Sequence, residues 1–341
     1  MRTPFTALYR KYRPQTFAEL VGQEHIADVL SASVKNNTTS HAYLFVGPRG
    51  TGKTSTARIL ARELGVDDLD IYELDAASNN SVEDIRLIKE AIDTAPFKSP
   101  FRFYIFDEVH MLSKSAFNAF LKTLEEPPAH VKFILATTEE HKVLDTIKSR
   151  CQQFTFRTPT TGKLAEVVHR VAKAEGYEVT PDAALLIAVL GDGSFRDTLV
   201  QLQKIISAVT DKKITHREVE KFGGAPKATL VEGFVTALLK KNTEAGLKIL
   251  EAVRSEQYDV HLFCELVMQR IRLVMFARYS KELYDHHVAD VAADSRVIIE
   301  ELAKDKELGN LSEVLSLLLE AHTRIQTAYI KTVPLELLLV E

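Results

Sequence analysis

The sequence predicts an α/β domain built on a parallel β-sheet, followed by two domains that are wholly helical. Short apolar segments alternate with helical segments between residues 42 and 156. That alternation stops at residues 158–162, where Thr, Pro and Gly break the pattern. With 341 residues, the chain also exceeds the size of one ordinary hydrophobic core. We therefore expect domains at residues 1–158, 159–224 and 225–341.

The predicted strands of the first domain are short and almost wholly apolar, which is typical of a parallel sheet covered by helices on both faces. We expect strands at 42–46, 71–75, 102–106, 132–136 and 153–156. We expect helices at 53–64, 81–93, 115–125 and 142–149. A further helix is expected at 17–34, with Thr16 as its N-cap.

The remaining sequence predicts helices only. They are expected at 163–174, 181–190, 194–209 and 216–221. Ser194 is a candidate N-cap, because Asp197 follows it at the spacing of a capping box. The Gly-Gly-Ala-Pro stretch at 223–226 separates these helices from the last domain. Apolar residues then recur at helical spacing through the rest of the chain.

One loop of the first domain fits the phosphate-binding pattern G-x-x-x-x-G-K-[ST]. It lies between the first predicted strand and the helix after it, as the motif requires. Its glycines allow backbone N–H groups to surround phosphate oxygens at a helix N-terminus, so a glycine-rich surface turn is the weaker alternative. We expect Lys53 to reach the β- and γ-phosphates and the Thr54 hydroxyl to hold Mg²⁺. The candidate nucleotide-binding residues here are Gly47, Pro48, Arg49, Gly50, Thr51, Gly52, Lys53, Thr54 and Ser55.

Two carboxylates end the third predicted strand. Asp107 and Glu108 follow the apolar residues 103–106, and the C-terminal ends of parallel strands line the ligand crevice. Asp107 is expected to help hold Mg²⁺, and Glu108 to act as general base toward the attacking water. Asp-Glu pairs are common at solvated strand ends, and it is the phosphate loop that favours the catalytic interpretation.

Three other residues give weaker signals. Thr138 follows an apolar strand, where its hydroxyl is positioned to orient a water, although Thr is also an ordinary strand residue. Arg150 follows a short helix, and an arginine at such a corner is able to reach a neighbouring subunit's γ-phosphate. Arg196 opens a later helix and is able to fold back onto the phosphates. Each arginine is also compatible with a solvated surface position.

Composition limits the function classes. The net charge is −4, so contact with nucleic acid requires a local basic patch, and residues 1–18 carry Arg2, Arg10, Lys11 and Arg13 without an acid. A solvated N-terminal arm is the alternative. The two cysteines lack metal-ligand spacing, so we expect no zinc and no disulfide, and a cytoplasmic location. No membrane span or signal peptide is evident.

Several segments resemble the AAA+ clamp-loader ATPases, and specifically the bacterial DNA polymerase III gamma/tau family. Beside the phosphate loop, these are residues 8–14 (LYRKYRP), 21–25 (VGQEH), 74–78 (LDAAS), 107–112 (DEVHML), 121–128 (LKTLEEPP), 149–151 (SRC) and 193–197 (GSFRD). The resemblance is dense to about residue 200 and thinner through the terminal helices. It implies an AAA+ P-loop domain, a small helical lid and an all-α collar.

The resemblance also implies roles for particular residues. Sensor 1 falls on Thr138, sensor 2 on Arg196, and the arginine finger that acts in trans on Arg150. The adenine is expected near the N-terminal segment, where the candidates are Tyr9, Arg10, Pro14 and Val21.

The function that this resemblance implies is ATP-driven loading of the sliding beta clamp onto primer–template DNA. Expected partners are the delta and delta-prime subunits and further copies of this chain in a pentamer. Lys98 and Arg102 are candidates for contacts with DNA phosphates. Two alternatives remain: a scaffold subunit that binds nucleotide without hydrolysing it, which the intact motifs disfavour, and a helicase-type AAA+ motor.

Two departures from the family pattern stand out. The family usually carries a four-cysteine zinc module between the first helix and the second strand, whereas residues 64–70 here form a short bridge without cysteine. No motif residue lies there, so the nucleotide machinery should be unaffected. The sequence ends directly after the collar-like helices, which suggests a gamma-like form or a truncated chain.

Overall fold

The computed structural model describes residues 6–288, 291, 293–305, 308 and 310–340. Arg2 of the basic N-terminal segment lies outside these residues. The chain divides into two compact units. Unit 1 comprises Met1–Leu164 and Gly191–Val200, and unit 2 comprises Ala165–Leu190 and Gln201–Glu341. The expected division into three domains at residues 158 and 224 stays a prediction.

Unit 1 is built on a five-stranded parallel sheet. Its strands lie in the order β2-β3-β4-β1-β5. The strands are β1 (Ala42–Val46), β2 (Ile71–Asp75), β3 (Arg102–Asp107), β4 (Val131–Thr137) and β5 (Gln152–Thr155). Every residue of β1 and β4 is buried, as expected for central strands covered on both faces. The predicted α/β parallel-sheet fold is confirmed, with strand ends within one residue of those expected.

The helices of unit 1 connect these strands. They are α1 (Leu8–Lys11), α2 (Glu24–Lys35), α3 (Lys53–Glu63), α4 (Val82–Ile92), α5 (Lys114–Glu125), α6 (Asp145–Lys148) and the start of α7 (Thr161–Ala174). Four 3₁₀ turns accompany them, at Phe17–Glu19, Asp68–Asp70, Val109–Met111 and Glu140–Lys142. α4 begins at a capping box in which Ser81 and Asp84 satisfy each other's backbone N–H groups.

The alternation of side chains along the strands divides the core into two layers. Tyr43 and Phe45 of β1 pack in one hydrophobic cluster, which includes residues of α2 and α3. Leu44 and Val46 pack in the other cluster, which includes residues of α4 and α5. Successive strand residues point to opposite faces, so one apolar strand supplies both layers. The wholly apolar strands of the sequence are explained by this arrangement.

Two helix predictions for unit 1 were wrong. The expected helix at 17–34 is a 3₁₀ turn followed by α2, because Gly22 between them adopts a left-handed φ of 78°. Thr16 makes no N-cap hydrogen bond to the backbone, and its hydroxyl donates to the Glu19 carboxylate instead. The expected helix at 142–149 is reduced to the four residues of α6.

Unit 2 is mostly helical. It contains most of α7 and the second part of α9 (Phe195–Ala208), which begins in unit 1. Its other helices are α8 (Pro181–Leu190), α10 (His216–Glu218), α11 (Ala228–Leu239), α12 (Thr243–Ser255), α13 (Val260–Tyr279), α14 (Lys281–Val288), α15 (Ala293–Lys304), α16 (Leu311–Thr327) and α17 (Val333–Leu338). A π-helical turn, Val219–Gly223, follows α10. The expectation that strands stop after residue 158 was wrong. β6 (Glu178–Val179) and β7 (Lys213–Ile214) form a parallel pair, too short to show a period in the sequence.

The two cysteines and the longer helices bear on the expectations of no disulfide and no membrane span. Cys151 and Cys264 are both free thiols, and burial raises the pKa of each to about 12, which keeps them in the unreactive thiol form. Over the part of the chain that is described, no helix combines the length and the apolar character needed to cross a membrane.

Candidate nucleotide-binding site

The phosphate loop joins β1 to α3 within unit 1. Val46 ends β1, and α3 begins at Lys53, so the motif has the strand–loop–helix context that it needs. Gly50 has a φ of 74°, and a Cβ atom there would lie 1.9 Å from the Ser194 hydroxyl oxygen. Gly52, directly before the helix, has a φ of 106°. Glycine is therefore needed at both positions for the loop to keep this conformation.

The Gln23 side chain, outside the motif, holds the loop in place. The buried amide of Gln23 donates to the backbone carbonyls of Thr51 (3.5 Å) and Arg157 (2.7 Å) and accepts from the Arg157 N–H. Ser194 caps α9 by accepting the Asp197 N–H, which confirms the predicted N-cap. Gln23 lies in the VGQEH segment, where the sequence alone gives no sign of this contact. Its buried amide is what makes it a structural anchor of the loop.

Lys53 is buried beneath the loop. Its ammonium group donates to the carbonyl oxygens of Gly47 (2.7 Å) and Pro48 (2.9 Å). Burial lowers the pKa of Lys53, and the nearby carboxylates of Glu108 and Asp107 oppose that shift. The structure therefore brings the lysine of the loop and the two carboxylates of β3 into one electrostatic cluster.

Asp107 lies beside the start of α3. Its carboxylate accepts a hydrogen bond from the Thr54 hydroxyl at 3.3 Å. Burial raises the pKa of Asp107, and the neighbouring Glu108 raises it further, whereas the Glu108 N–H, Lys53 and Thr54 act in the opposite direction. The hydroxyl of Thr54 and the carboxylate of Asp107 supply the oxygen ligands that Mg²⁺ prefers, so the donor set fits this ion.

Glu108 is held in an unusual backbone conformation at the end of β3. Its φ is 50°, in the left-handed region that is uncommon for a residue other than glycine. Its backbone N–H donates to the Asp107 carboxylate at 3.1 Å. Its own carboxylate accepts from the Thr138 hydroxyl at 3.0 Å. Thr138, expected as sensor 1, therefore contacts the expected general base directly.

His110 is a part of the site that the sequence reasoning missed. Its buried imidazole lies with Nδ1 3.0 Å from the Thr137 hydroxyl and 3.5 Å from a Glu108 carboxylate oxygen. Its Nε2 lies 3.5 Å from a Glu139 carboxylate oxygen. The signal in the sequence was its position two residues after Glu108, within the segment DEVHML.

Tyr9 brings the N-terminal segment to Arg196. The guanidinium carbon of Arg196 lies 5.0 Å from the centre of the Tyr9 ring, and that of Arg10 lies 5.8 Å from it. The hydrogen bond from Arg10 is the main cause that lowers the pKa of the Tyr9 phenol, and Arg196 adds to the effect. Pro14 and Val21 are partly exposed, and a contact between adenine and any of the four candidates stays a prediction.

Arg150 is engaged away from the phosphate loop. It forms an ion pair with Glu125 and donates to the Thr146 carbonyl oxygen at 2.6 Å and to the Ser149 hydroxyl at 3.3 Å. None of these partners belongs to the Lys53–Asp107–Glu108 cluster. About one third of its side chain is exposed, and its predicted action in trans stays a prediction.

One of the two DNA-contact candidates was wrong. The Arg102 side chain is buried and donates to the carbonyl oxygens of Ala91 (2.7 Å) and Ala95 (3.0 Å) and to the Thr94 hydroxyl. A guanidinium that is buried and paired in this way is a structural anchor. Lys98 is exposed beside Asp67, and its role stays a prediction.

The bridge between α3 and β2 has its own anchor. Asp70 is buried, and its carboxylate accepts the backbone N–H groups of Phe97 (2.7 Å), Lys98 (2.9 Å) and Ser99 (3.0 Å). These bonds tie the bridge to the segment before β3. The expectation that no zinc binds here stays a prediction.

Comparison with known proteins gives a consistent family. Residues 22–71 and 63–160 match the model for the DNA polymerase III delta subunit, and residues 214–341 match that for domain III of the gamma and tau subunits. The gamma/tau subunit of Mycobacterium tuberculosis strain H37Rv is 36% identical over 312 residues, which are 85% of this chain and 54% of that protein. The tau subunit of Bacillus subtilis is 40% identical over 276 residues, or 75% of this chain and 49% of the relative.

Solved structures support the fold. The RuvB Holliday junction branch migration motor of Thermotoga maritima superposes with a TM-score of 0.54 at 21% sequence identity, over 67% of this chain and 79% of that one. At this identity the likeness shows a shared AAA+ fold and nothing about function. This chain spans about half the length of the curated relatives that it matches. On the sequence matches, the chain belongs to the DNA polymerase III gamma/tau family.

Proposed function

We propose that this chain is the ATP-hydrolysing motor subunit of a DNA polymerase III clamp loader. The observation that carries the proposal is the convergence of Lys53, Thr54, Asp107 and Glu108 at one edge of the sheet, in a member of the gamma/tau family. A subunit that only binds nucleotide can use Asp107 to hold Mg²⁺, but it has no need of a general base at Glu108.

The phosphate loop and Asp107 bind ATP and its metal ion in this proposal. The backbone N–H groups of the loop, to which Pro48 contributes none, surround the phosphates, and Lys53 exchanges its two loop carbonyls for phosphate oxygens. Thr54 and Asp107 hold Mg²⁺, which when bound neutralises charge on the phosphate oxygens.

Glu108 accepts the proton of the attacking water. Thr138 orients the Glu108 carboxylate for that task through their 3.0 Å hydrogen bond. Arg196 is the second sensor, placed beside Tyr9. The adenine binds near Tyr9, Arg10, Pro14 and Val21. Arg150 completes the site of a neighbouring subunit by stabilising charge on the transferred phosphoryl group.

The proposed partners follow from family membership. They are the delta and delta-prime subunits, further copies of this chain, the beta sliding clamp and primer–template DNA. Binding of ATP drives opening of the clamp around primed DNA, and hydrolysis releases both.

A steady-state ATPase assay with the partner subunits, the beta clamp and primed DNA tests this proposal. We expect hydrolysis by the wild-type assembly and its loss in Lys53→Ala, because the phosphate-binding ammonium is removed. Lys35→Ala, at the exposed end of α2, is the matched control and should retain full activity. Wild-type hydrolysis no faster than that of Lys53→Ala would refute the motor role and leave a nucleotide-binding scaffold. Strand separation without clamp or partners would instead indicate a helicase-type motor.

A further inference from the structure

Three metal-binding side chains of unit 2 converge from two helices. His261 and Glu265 lie one turn apart on α13, and His322 lies on α16. One ligand atom from each, a ring nitrogen or a carboxylate oxygen, lies within 4.8 Å of the other two. Side chains four residues apart share a helix face, and the facing helix supplies the third group.

The distances in this cluster suit a metal centre better than they suit hydrogen bonds. His261 Nδ1 lies 3.6 Å and His322 Nε2 lies 3.3 Å from the same carboxylate oxygen of Glu265. Good N–H···O hydrogen bonds are shorter than this, at about 2.7–3.2 Å. Ligands bound at about 2.0–2.1 Å to a tetrahedral ion are separated by about 3.3 Å. The two histidine–carboxylate separations are 3.3 and 3.6 Å, and all three ligand atoms lie within 4.8 Å of one another.

The chemistry of the donors selects the ion. Two imidazoles and one carboxylate form a zinc ligand set that leaves one tetrahedral position for water. Mg²⁺ and Ca²⁺ prefer sites made wholly of oxygen ligands, whereas imidazole suits zinc and its neighbours in the first transition row. The three side chains are 24–31% exposed, so an ion can reach them while they are partly shielded from bulk water.

A fourth side chain is placed to orient one of the ligands. The amide nitrogen of Gln326 lies 3.3 Å from His261 Nε2, the ring nitrogen that does not face Glu265. Turning the side-chain amide over exchanges its nitrogen and oxygen, and the oxygen then accepts the Nε2–H and leaves Nδ1 free to bind a metal. Metal-binding histidines usually carry an outer partner of this kind.

We propose that His261, Glu265 and His322 form a zinc site that joins α13 to α16, with Gln326 orienting His261, contrary to the expectation of no zinc that the cysteine spacing gave. The site is independent of the nucleotide site, because none of these residues belongs to the phosphate-loop machinery. An ion held by both helices stabilises the folded helical unit by mass action.

Zinc binding to the full chain tests this proposal. Zinc is titrated against a chromophoric chelator in excess Mg²⁺ and without nucleotide, and the thermal unfolding midpoint is recorded with and without zinc. We expect one ion per chain at this site and a higher midpoint on its addition. His322→Ala and Glu265→Gln should each lose both effects. Gln326→Ala should weaken zinc binding by about 10- to 100-fold, the usual cost of losing an outer partner.

His216→Ala is the matched control. His216 and Glu220 form a similar pair four residues apart, at 3.4 Å, and no third ligand joins them among the described side chains. This variant should bind zinc as the wild type does. If circular dichroism shows that His322→Ala is unfolded, the isosteric Glu265→Gln carries the test. Equal zinc binding by the wild type and Glu265→Gln, or an equal loss in His216→Ala, would overturn the proposal.

Discussion

Glu108→Gln separates hydrolysis from binding. Gln retains an oxygen that accepts the Thr138 hydroxyl, and it has the same shape at the backbone φ of 50°. The Glu108 side chain is about one third exposed, so the change should alter the free energy of unfolding by no more than about 0.5 kcal/mol. Its chemical consequences are the loss of a proton acceptor and of one negative charge beside Lys53 and Asp107.

The size of the effect follows from that loss. A positioned general base contributes about 10²- to 10⁴-fold, so the hydrolysis barrier should rise by about 3–5 kcal/mol. ATP affinity should not fall, because Lys53, Thr54 and Asp107 keep their contacts and one negative charge near the phosphates is removed. Thr138→Val removes the hydroxyl that contacts Glu108, and it should also slow hydrolysis. Because Thr138 acts through Glu108, the double variant should be about as slow as Glu108→Gln alone.

Single-turnover hydrolysis in the reconstituted assembly, together with equilibrium binding of ATP, measures both quantities. Glu83→Gln is the control, since it makes the same substitution at an exposed carboxylate on α4. Unchanged hydrolysis by Glu108→Gln would show that another group is the base. Fully additive losses for the two substitutions would show that Thr138 acts independently of Glu108.

Other variants test the rest of the site and the fold. Arg150→Ala should bind ATP normally as an isolated chain yet lose about 10³- to 10⁵-fold of assembly-dependent hydrolysis, and a defect already present in the isolated chain would contradict a role in trans. Gly50→Ala should lower the urea-unfolding free energy by at least about 1–2 kcal/mol, because its φ is 74° and its Cβ would overlap the Ser194 hydroxyl; wild-type stability would refute this. The hydrogen bond from Lys163, together with the backbone N–H groups of Glu24 and Gly22, lowers the pKa of Glu24 from 4.5 to about 2. The contribution of these contacts is therefore present above pH 4.5 and lost as the pH falls through about 2. Because the pair is exposed, Glu24→Gln should cost less than about 1 kcal/mol at pH 7, and a cost that persists at pH 2 would argue against this ion pair.

The sheet was predictable because each strand is a short apolar segment between clear breaks. β1 has the predicted bounds, since burial on both faces leaves an uninterrupted apolar signal. β2 also has the predicted bounds, although none of its residues is buried. The prediction of a helix at 17–34 was wrong because a single glycine, Gly22, interrupts a segment that is otherwise suited to a helix. β6 and β7 were not predicted, because a strand of two residues is too short to show the alternation of apolar and polar side chains.

The site was predictable where function requires a fixed spacing along the chain. The phosphate loop and the Asp107–Glu108 pair are of this kind. Gln23 and His110 were not assigned roles, because their contacts join residues far apart in sequence, such as Gln23 with Arg157. The prediction that Arg102 contacts DNA was wrong for a related reason. Its charge suggested an exposed side chain, but hydrogen bonds to partners such as the Ala91 carbonyl oxygen offset the cost of burying the guanidinium.

The ion pair between Arg150 and Glu125 bears on how the proposed site would be completed. Arg150 can act on a neighbour's nucleotide only by leaving this partner, so the gain at the phosphate must exceed the loss of the pair. The pair is partly exposed, and such pairs contribute at most about 1 kcal/mol. A contact with a developing charge on a phosphoryl group is worth several times more. The exchange is therefore favourable only when a neighbouring site holds ATP, which would couple hydrolysis to assembly.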